Sequence, residues 1–197
     1  MIKRLFDIIV SFLGLVFLSP VFLIIGLMVK LDSEGPVFYR GVRVERFGKQ
    51  FRIFKFRTMV RDAEELGGPS TAADDPRLTR TGRFLRKYKL DELPQLISIL
   101  RGEMSFVGPR PEVKMYVDMM SEEEKKIILS VKPGLTDLAS LENMSEGERL
   151  RGSKDPEKDY LEKIRPTKIR LQKEYVKTRS FILDIKILLY TLWRIFF

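Results

Sequence analysis

The chain has 197 residues, no cysteine and no histidine, with 36 Lys and Arg against 27 Asp and Glu, a net charge of +9. A thiolate metal site, a disulfide framework and histidine acid–base chemistry are excluded, so proton transfer and nucleophilic work fall to carboxylates, Lys, Tyr or the substrate itself. The length suits a single compact domain with attachments, and the charge suits anionic partners: nucleic acid, acidic lipid or phosphorylated substrates.

Residues Leu5 to Leu31 form the stretch long enough to cross a bilayer, interrupted by Asp7, Ser11, Gly14, Ser19, Pro20, Gly26 and Lys30. The apolar run exceeds a signal-peptide core, and no small-residue cleavage site precedes Lys30. Basic residues flank both ends, Lys3 and Arg4 before it and Lys30, Arg40, Arg43 and Arg46 after it. Such flanks prefer the cytoplasmic side, so a straight spanning helix would misplace one set, whereas a helix that turns back at Ser19-Pro20 keeps both inside. Pro20 lacks an amide proton and its ring displaces the carbonyl four residues earlier; the Ser19 hydroxyl can satisfy the backbone group so freed. Residues 1–32 are therefore expected to form a re-entrant membrane helix, with a kinked spanning helix as the alternative.

After Gly35-Pro36, Val37 to Val44 and Phe51 to Phe56 read as a β-hairpin around Phe47-Gly48-Lys49. Residues 40 to 61 carry Arg40, Arg43, Arg46, Lys49, Arg52, Lys55, Arg57 and Arg61 against one acid, Glu45. Most of these suit a solvated surface touching anionic headgroups. Met59 to Leu66 look helical, and Gly67 to Pro76 reads as a loop. Ser121 with Glu124 is a capping-box pattern opening a helix to Val131. Ser140 to Asp159 is polar, as a surface helix and loop would be. Ser180 to Phe197 is strongly apolar with one Trp, and suits either a helix in the headgroup region or a docked core helix. The fold class is α+β, mostly helical. Its expected parts are the membrane helix 1–32, a catalytic domain 33–179 and the C-terminal helix 180–197.

Arg77, Arg80, Arg83, Arg86, Lys87 and Lys89 precede Asp91-Glu92, after which Leu93, Leu96, Ile97 and Leu100 supply an apolar helical face. Pro94 is tolerated only in a first turn, which places a helix start near Asp91 or Glu92 and sets both carboxylates at its positive end. Those surroundings favour ionised carboxylates and attract phosphate. Taken alone the pair is a weak signal, because an Asp at a helix start is more commonly a plain cap than a nucleophile.

The wider string Lys89 to Leu96, followed by Leu100-Arg101-Gly102-Glu103-Met104-Ser105-Phe106-Val107-Gly108-Pro109-Arg110-Pro111, resembles the bacterial sugar transferase family, the monotopic polyprenol-phosphate phosphoglycosyl transferases. So do Lys3 to Asp7, Ser19-Pro20, Gly35 to Tyr39, Lys55 to Met59 and Lys132 to Thr136, and the likeness covers almost the whole chain. It implies a helix bent at Ser19-Pro20, a small catalytic domain on the cytoplasmic face of the bacterial inner membrane, and Mg²⁺ held by Asp91 and Glu92. It implies that Asp91 attacks the β-phosphate of a UDP-sugar, that UMP leaves, and that a polyprenol phosphate, undecaprenyl in bacteria, takes the phosphosugar. Lys55, Arg57, Arg86 and Arg110 are then candidates for binding the substrate, although a structural ion pair at the proline turn is an equal alternative for Arg110. The chain departs from many relatives at Thr136-Asp137-Leu138-Ala139-Ser140, where they carry Thr-Gly-Leu-Ala-Gln, and at Gln172, where some place an acid. It looks like the minimal catalytic form, and a homodimer is compatible with it. A non-enzymatic basic adaptor on anionic lipid would need the charge and the anchor but not the dyad. Nucleic-acid binding explains the charge but not the apolar segment.

Overall fold

The computed structural model describes residues 1–142 and 146–196. Residues 143–145 of the polar stretch and Phe197 lie outside the described residues. The chain opens with α1 (Ile2–Phe17) and α2 (Ser19–Asp32), bent by 63° to one another. No single helix among the described residues is long and apolar enough to cross a membrane, but this pair together meets the length and composition. Pro20 offers no N–H to Val16, and the Ser19 hydroxyl donates to the Val16 carbonyl at 2.8 Å instead. The bend therefore leaves that carbonyl paired.

α1 is amphipathic in the reverse sense to a surface helix of a soluble protein. Asp7 and Ser11 are buried, whereas Leu5, Ile8, Ile9, Phe12, Leu13, Val16 and Phe17 are exposed. The interruptions of the apolar run are the face that docks. Asp7 accepts from the Phe106 N–H at 3.2 Å, and the Ser11 hydroxyl donates to the Asp7 carbonyl at 2.6 Å. Lys3 donates to the Val107 carbonyl at 2.8 Å and pairs with buried Asp184 at 2.5 Å, and Arg4 donates to the carbonyls of Ile99 and Leu100.

The expected hairpin forms as β1 (Phe38–Tyr39), β2 (Val42–Val44), β3 (Gln50–Arg52) and β4 (Lys55–Phe56). β1 pairs with β4 and β2 with β3, both antiparallel and in one register. Residues 59–66 correct the sequence expectation, because they form turns rather than a helix. Val60 N–H is spent on the Arg77 carbonyl at 2.9 Å, Met59 bridges Leu78, and Asp62 is left-handed at φ 60. Arg77 also gathers the carbonyls of Ala63 and Gly68 and pairs with Asp75 at 2.7 Å, which organises the following loop.

α3 (Arg80–Lys87) leads through a 3₁₀ turn, Leu90–Glu92, to α4 (Gln95–Arg101). α4 starts later than the proline suggested, with Pro94 at its N-cap. Its buried residues are Gln95, Leu96, Ser98 and Ile99, not one stripe through Leu93, Leu96, Ile97 and Leu100. These four lie on one face, turned away from the expected stripe so that it carries two polar residues, while Ile97 and Leu100 are only half-buried and Arg101 is exposed.

β5 (Ser105–Val107) pairs in parallel with β6 (Gly134–Thr136). α5 (Lys114–Asp118) and α6 (Glu122–Ile128) lie between them, and the Ser121–Glu124 capping box forms as expected. α7 (Leu138–Glu142), α8 (Glu146–Arg149) and α9 (Pro156–Asp159) follow; α9 runs through a π turn into α10 (Arg165–Thr178). α11 (Phe181–Phe196) divides its faces, with Ile187 buried on the core and Ile182, Leu189, Leu192 and Trp193 exposed. One side of the helix is docked on the core as one expectation had it, and the other presents an apolar surface.

Gly108 and Gly134 let the two loops beside β5 and β6 touch. A Cβ on Gly134 would stand 2.1 Å from the Gly108 nitrogen. Gly134→Ala is expected to cost about 3 kcal/mol or more, a fall in Tm of roughly 6–12 °C in detergent-solubilised protein. A Tm within a degree or two of wild type would contradict this packing.

Candidate active site

Four segments meet at the dyad. β4 supplies Lys55, the 3₁₀ turn supplies Asp91 and Glu92, the loop after β5 supplies Arg110, and α3 supplies Arg86. α3 reaches the hairpin because position 82 is glycine: a Cβ there would lie 1.9 Å from the Thr58 carbonyl oxygen. Thr79 caps α3 through the Gly82 N–H, and Arg86 donates to the Thr58 hydroxyl at 2.9 Å.

Glu92 Oε1 accepts from Lys55 at 2.8 Å and from Arg110 at 2.6 Å. Burial alone would raise the Glu92 carboxyl, but Arg110 and Lys55 outweigh it and hold it far below the usual carboxylate range. Arg110 also donates to the Leu135 carbonyl, and its N–H donates to Asp137 at 3.3 Å. The ion pair weighed for Arg110 therefore exists, and it is made to the dyad itself.

Asp91 is 5 % exposed and its Oδ1 has no hydrogen-bond partner. No side-chain cap bond is made at the 3₁₀ turn or at α4, so Asp91 is not a helix cap. Burial raises the Asp91 carboxyl, with Lys55 opposing and Glu92 adding to the rise. The sequence expectation of two readily ionised carboxylates thus holds for Glu92 alone, because desolvation wins at Asp91. Two adjacent acids pushed in opposite directions have separable roles. Lys55 is lowered by burial against the pull of Glu92 and Asp91, and Arg86 is lowered by burial against Asp91.

Arg57 is not brought into this cluster. Its guanidinium donates to the Pro36 carbonyl at 2.7 Å, the Ser33 carbonyl at 2.8 Å and the Ser33 hydroxyl at 2.5 Å. It secures the exit of α2 rather than facing the dyad. Sequence reasoning also missed Asp137, which is fully buried and caps α7 by accepting the Ser140 N–H at 2.6 Å. Asp at 137 with a polar residue three further on was the available signal. Gln172 is fully buried, and neither amide atom has a partner.

The sequence profile described as bacterial sugar transferase matches residues 1–197. The chain belongs to the bacterial sugar transferase family. Among its relatives, an undecaprenyl-phosphate glucose phosphotransferase of Komagataeibacter xylinus is 38 % identical over 198 residues, covering 98 % of this chain and 35 % of that one. The UDP-glucose:undecaprenyl-phosphate glucose-1-phosphate transferase of Escherichia coli is 37 % identical, over 98 % of this chain and 40 % of its own. The exopolysaccharide production protein PSS of Rhizobium leguminosarum is 35 % identical, over 95 % and 91 %. The chain thus spans well under half of the first two and nearly all of the third. Membership makes the chain a transferase by family, consistent with a preformed cluster of two acids and three cations.

Because the folded-state value of Asp91 lies above its unfolded one, ionisation costs stability as pH rises through the folded value. Asp91→Asn removes that cost. It is expected to raise Tm by about 2–4 °C at pH 7, with the gap closing as the pH is lowered and wild-type Asp91 takes up its proton. A lower Tm at pH 7 would contradict the desolvation ascribed to Asp91.

Proposed function

We propose that this transferase moves a sugar 1-phosphate from a UDP-sugar to a polyprenol phosphate, undecaprenyl phosphate in bacteria, with Asp91 as nucleophile. The observation that carries this reading is the buried, unpartnered Asp91 oxygen beside a Glu92 held by two cations. In the first half-reaction an Asp91 oxygen attacks the β-phosphorus. The bond from that phosphorus to the bridging oxygen breaks, and UMP departs with that oxygen and its electron pair. The phosphosugar remains on Asp91 as an acyl phosphate. In the second half, an oxygen of the polyprenol phosphate attacks the same phosphorus, and the Asp91 carboxylate leaves. The product is a polyprenol diphosphate sugar.

Phosphoryl transfer is catalysed largely by positioning and by neutralising charge on the non-bridging oxygens. Lys55, Arg86 and Arg110 serve that purpose, and Glu92 orients the first and last of them. Mg²⁺ fits such a site. Among the described residues no three acids converge as a cage, but this ion is commonly held by one or two carboxylates together with substrate phosphates. The Asp91 oxygen that does not attack and the second Glu92 oxygen would hold it, and it would neutralise the diphosphate.

The reversed amphipathicity of α1 supports a membrane setting, because its apolar side faces outward and its polar side faces the catalytic domain. The bend at Leu18 to Pro20 supports re-entry, with both helix ends and the dyad at the cytoplasmic face of the bacterial inner membrane. A basic lipid adaptor would gain nothing from a desolvated carboxylate.

Asp91→Asn is expected to bring UMP release to background, and Lys55→Met to lower kcat by about 10²-fold or more, in an assay with UDP-sugar, polyprenol phosphate and Mg²⁺. Full turnover in Asp91→Asn would rule out the nucleophile. The chain has no cysteine, so Ile2→Cys and Glu34→Cys each report one end of the bent pair. Both are expected to be shielded from an impermeant maleimide in intact cells, and labelling of either would indicate a spanning segment.

A further inference from the structure

Lys55, Arg86, Arg110 and Lys89 all act electrostatically on the dyad. Lys55 and Arg110 are bound to Glu92, and Arg86 to Thr58. Lys89 differs, because among the described residues its ammonium makes no hydrogen bond or ion pair. The side chain is only half-buried, so it is reachable.

Lys89 is also left-handed, at φ 56 and ψ 18, a conformation uncommon outside glycine. Its N–H donates to the Arg86 carbonyl at 3.2 Å, and its own carbonyl accepts from Glu92 N–H at 3.3 Å. This reversal joins α3 to the dyad turn. It sets Leu90 and Leu93 against the apolar cluster of Ile25 and Val29, on α2. On the other side of the reversal Phe84 and Tyr88 are exposed, with ring centroids 5.0 Å apart. α2, which packs on α3, exposes Leu23, Ile24, Leu27 and Leu31. An apolar surface on α2, an aromatic pair at the end of α3 and an uncommitted cation thus belong to the elements that adjoin the Asp91 turn. An amphiphile with a long apolar tail and an anionic head presents the complementary kinds of group.

We propose that Lys89 receives the phosphate head of the lipid acceptor, presented from the bilayer side, during the second half of the reaction. The proposal rests on the two-step reading above. A phosphate of the nucleotide is the other anion this ammonium could take, and ping-pong kinetics separate the two, because kcat/KM for each substrate reports its own half-reaction.

The test uses the full chain with Lys89→Gln, Lys89→Arg and Lys89→Gly, the last removing the side chain while relieving the backbone, so that Tm stays at or above wild type. Lys89→Gln and Lys89→Gly are expected to lower kcat/KM for polyprenol phosphate about tenfold or more, as for loss of a charge-assisted hydrogen bond. kcat/KM for the UDP-sugar should change less than about twofold, and Lys89→Arg should recover most of the loss. An equal loss for the UDP-sugar would assign Lys89 to the nucleotide and overturn the proposal, as would no change for either substrate. Intersecting double-reciprocal lines for the wild type, instead of parallel ones, would refute the two-step reading itself, whatever Lys89 does.

Discussion

Two neighbouring carboxylates taken out of water repel one another, and each loses hydration worth several kcal/mol unless cations or hydrogen bonds replace it. This fold resolves the conflict unevenly. Glu92 receives Lys55 and Arg110 on one oxygen, whereas an oxygen of Asp91 is left without a partner. Lys55 must project from β4, Arg110 from a loop pinned by Asp137 and by the crossing at Gly108 and Gly134, and Arg86 from a helix seated on Thr58. Much of the domain can be understood as the set of supports that hold these cations around one turn. The cost is a strained and desolvated centre, the kind of local sacrifice in stability found where reactivity is stored.

The bent pair α1 and α2 belongs to the same construction. Lys3, Arg4 and Asp7 tie α1 to β5, α4 and α11, while Leu90 and Leu93 of the dyad turn rest in the cluster built on α2. The dyad turn is therefore packed directly against the bent pair. On the proposed function, in which a soluble nucleotide sugar meets a lipid whose phosphate lies at the headgroup plane, these ties would fix the height of Asp91 relative to a bilayer. Arg57 contributes from the other end by gathering the carbonyls where α2 ends.

Much of this was legible in the sequence because local chemistry dictated it. Ser19-Pro20 gave the bend and its compensating hydrogen bond, the capping box at Ser121 formed, and the hairpin kept one register through its interruption. The dyad and its cations were found through a long motif rather than through periodicity. What failed were positions decided by long-range contacts. Residues 59–66 have a helical pattern, but Arg77 and Leu78 claim their backbone. Arg57 lies two residues from Lys55, yet it turns to the α2 terminus. The charge states of Asp91 and Glu92 depend on burial, which a dipeptide in a basic stretch does not reveal. Asp7 and Ser11 read as flaws in an apolar segment, although they form its docking face.

The central claim is that an Asp91 oxygen becomes bonded to phosphorus. The direct measurement is intact-protein and peptide mass analysis after rapid quenching of the full chain with a UDP-sugar that it turns over, in the absence of polyprenol phosphate. A mass increase equal to one sugar phosphate, located on the peptide containing Asp91 and lost on addition of polyprenol phosphate, is the predicted result. Product formation at full rate with no such adduct at any time point would contradict it.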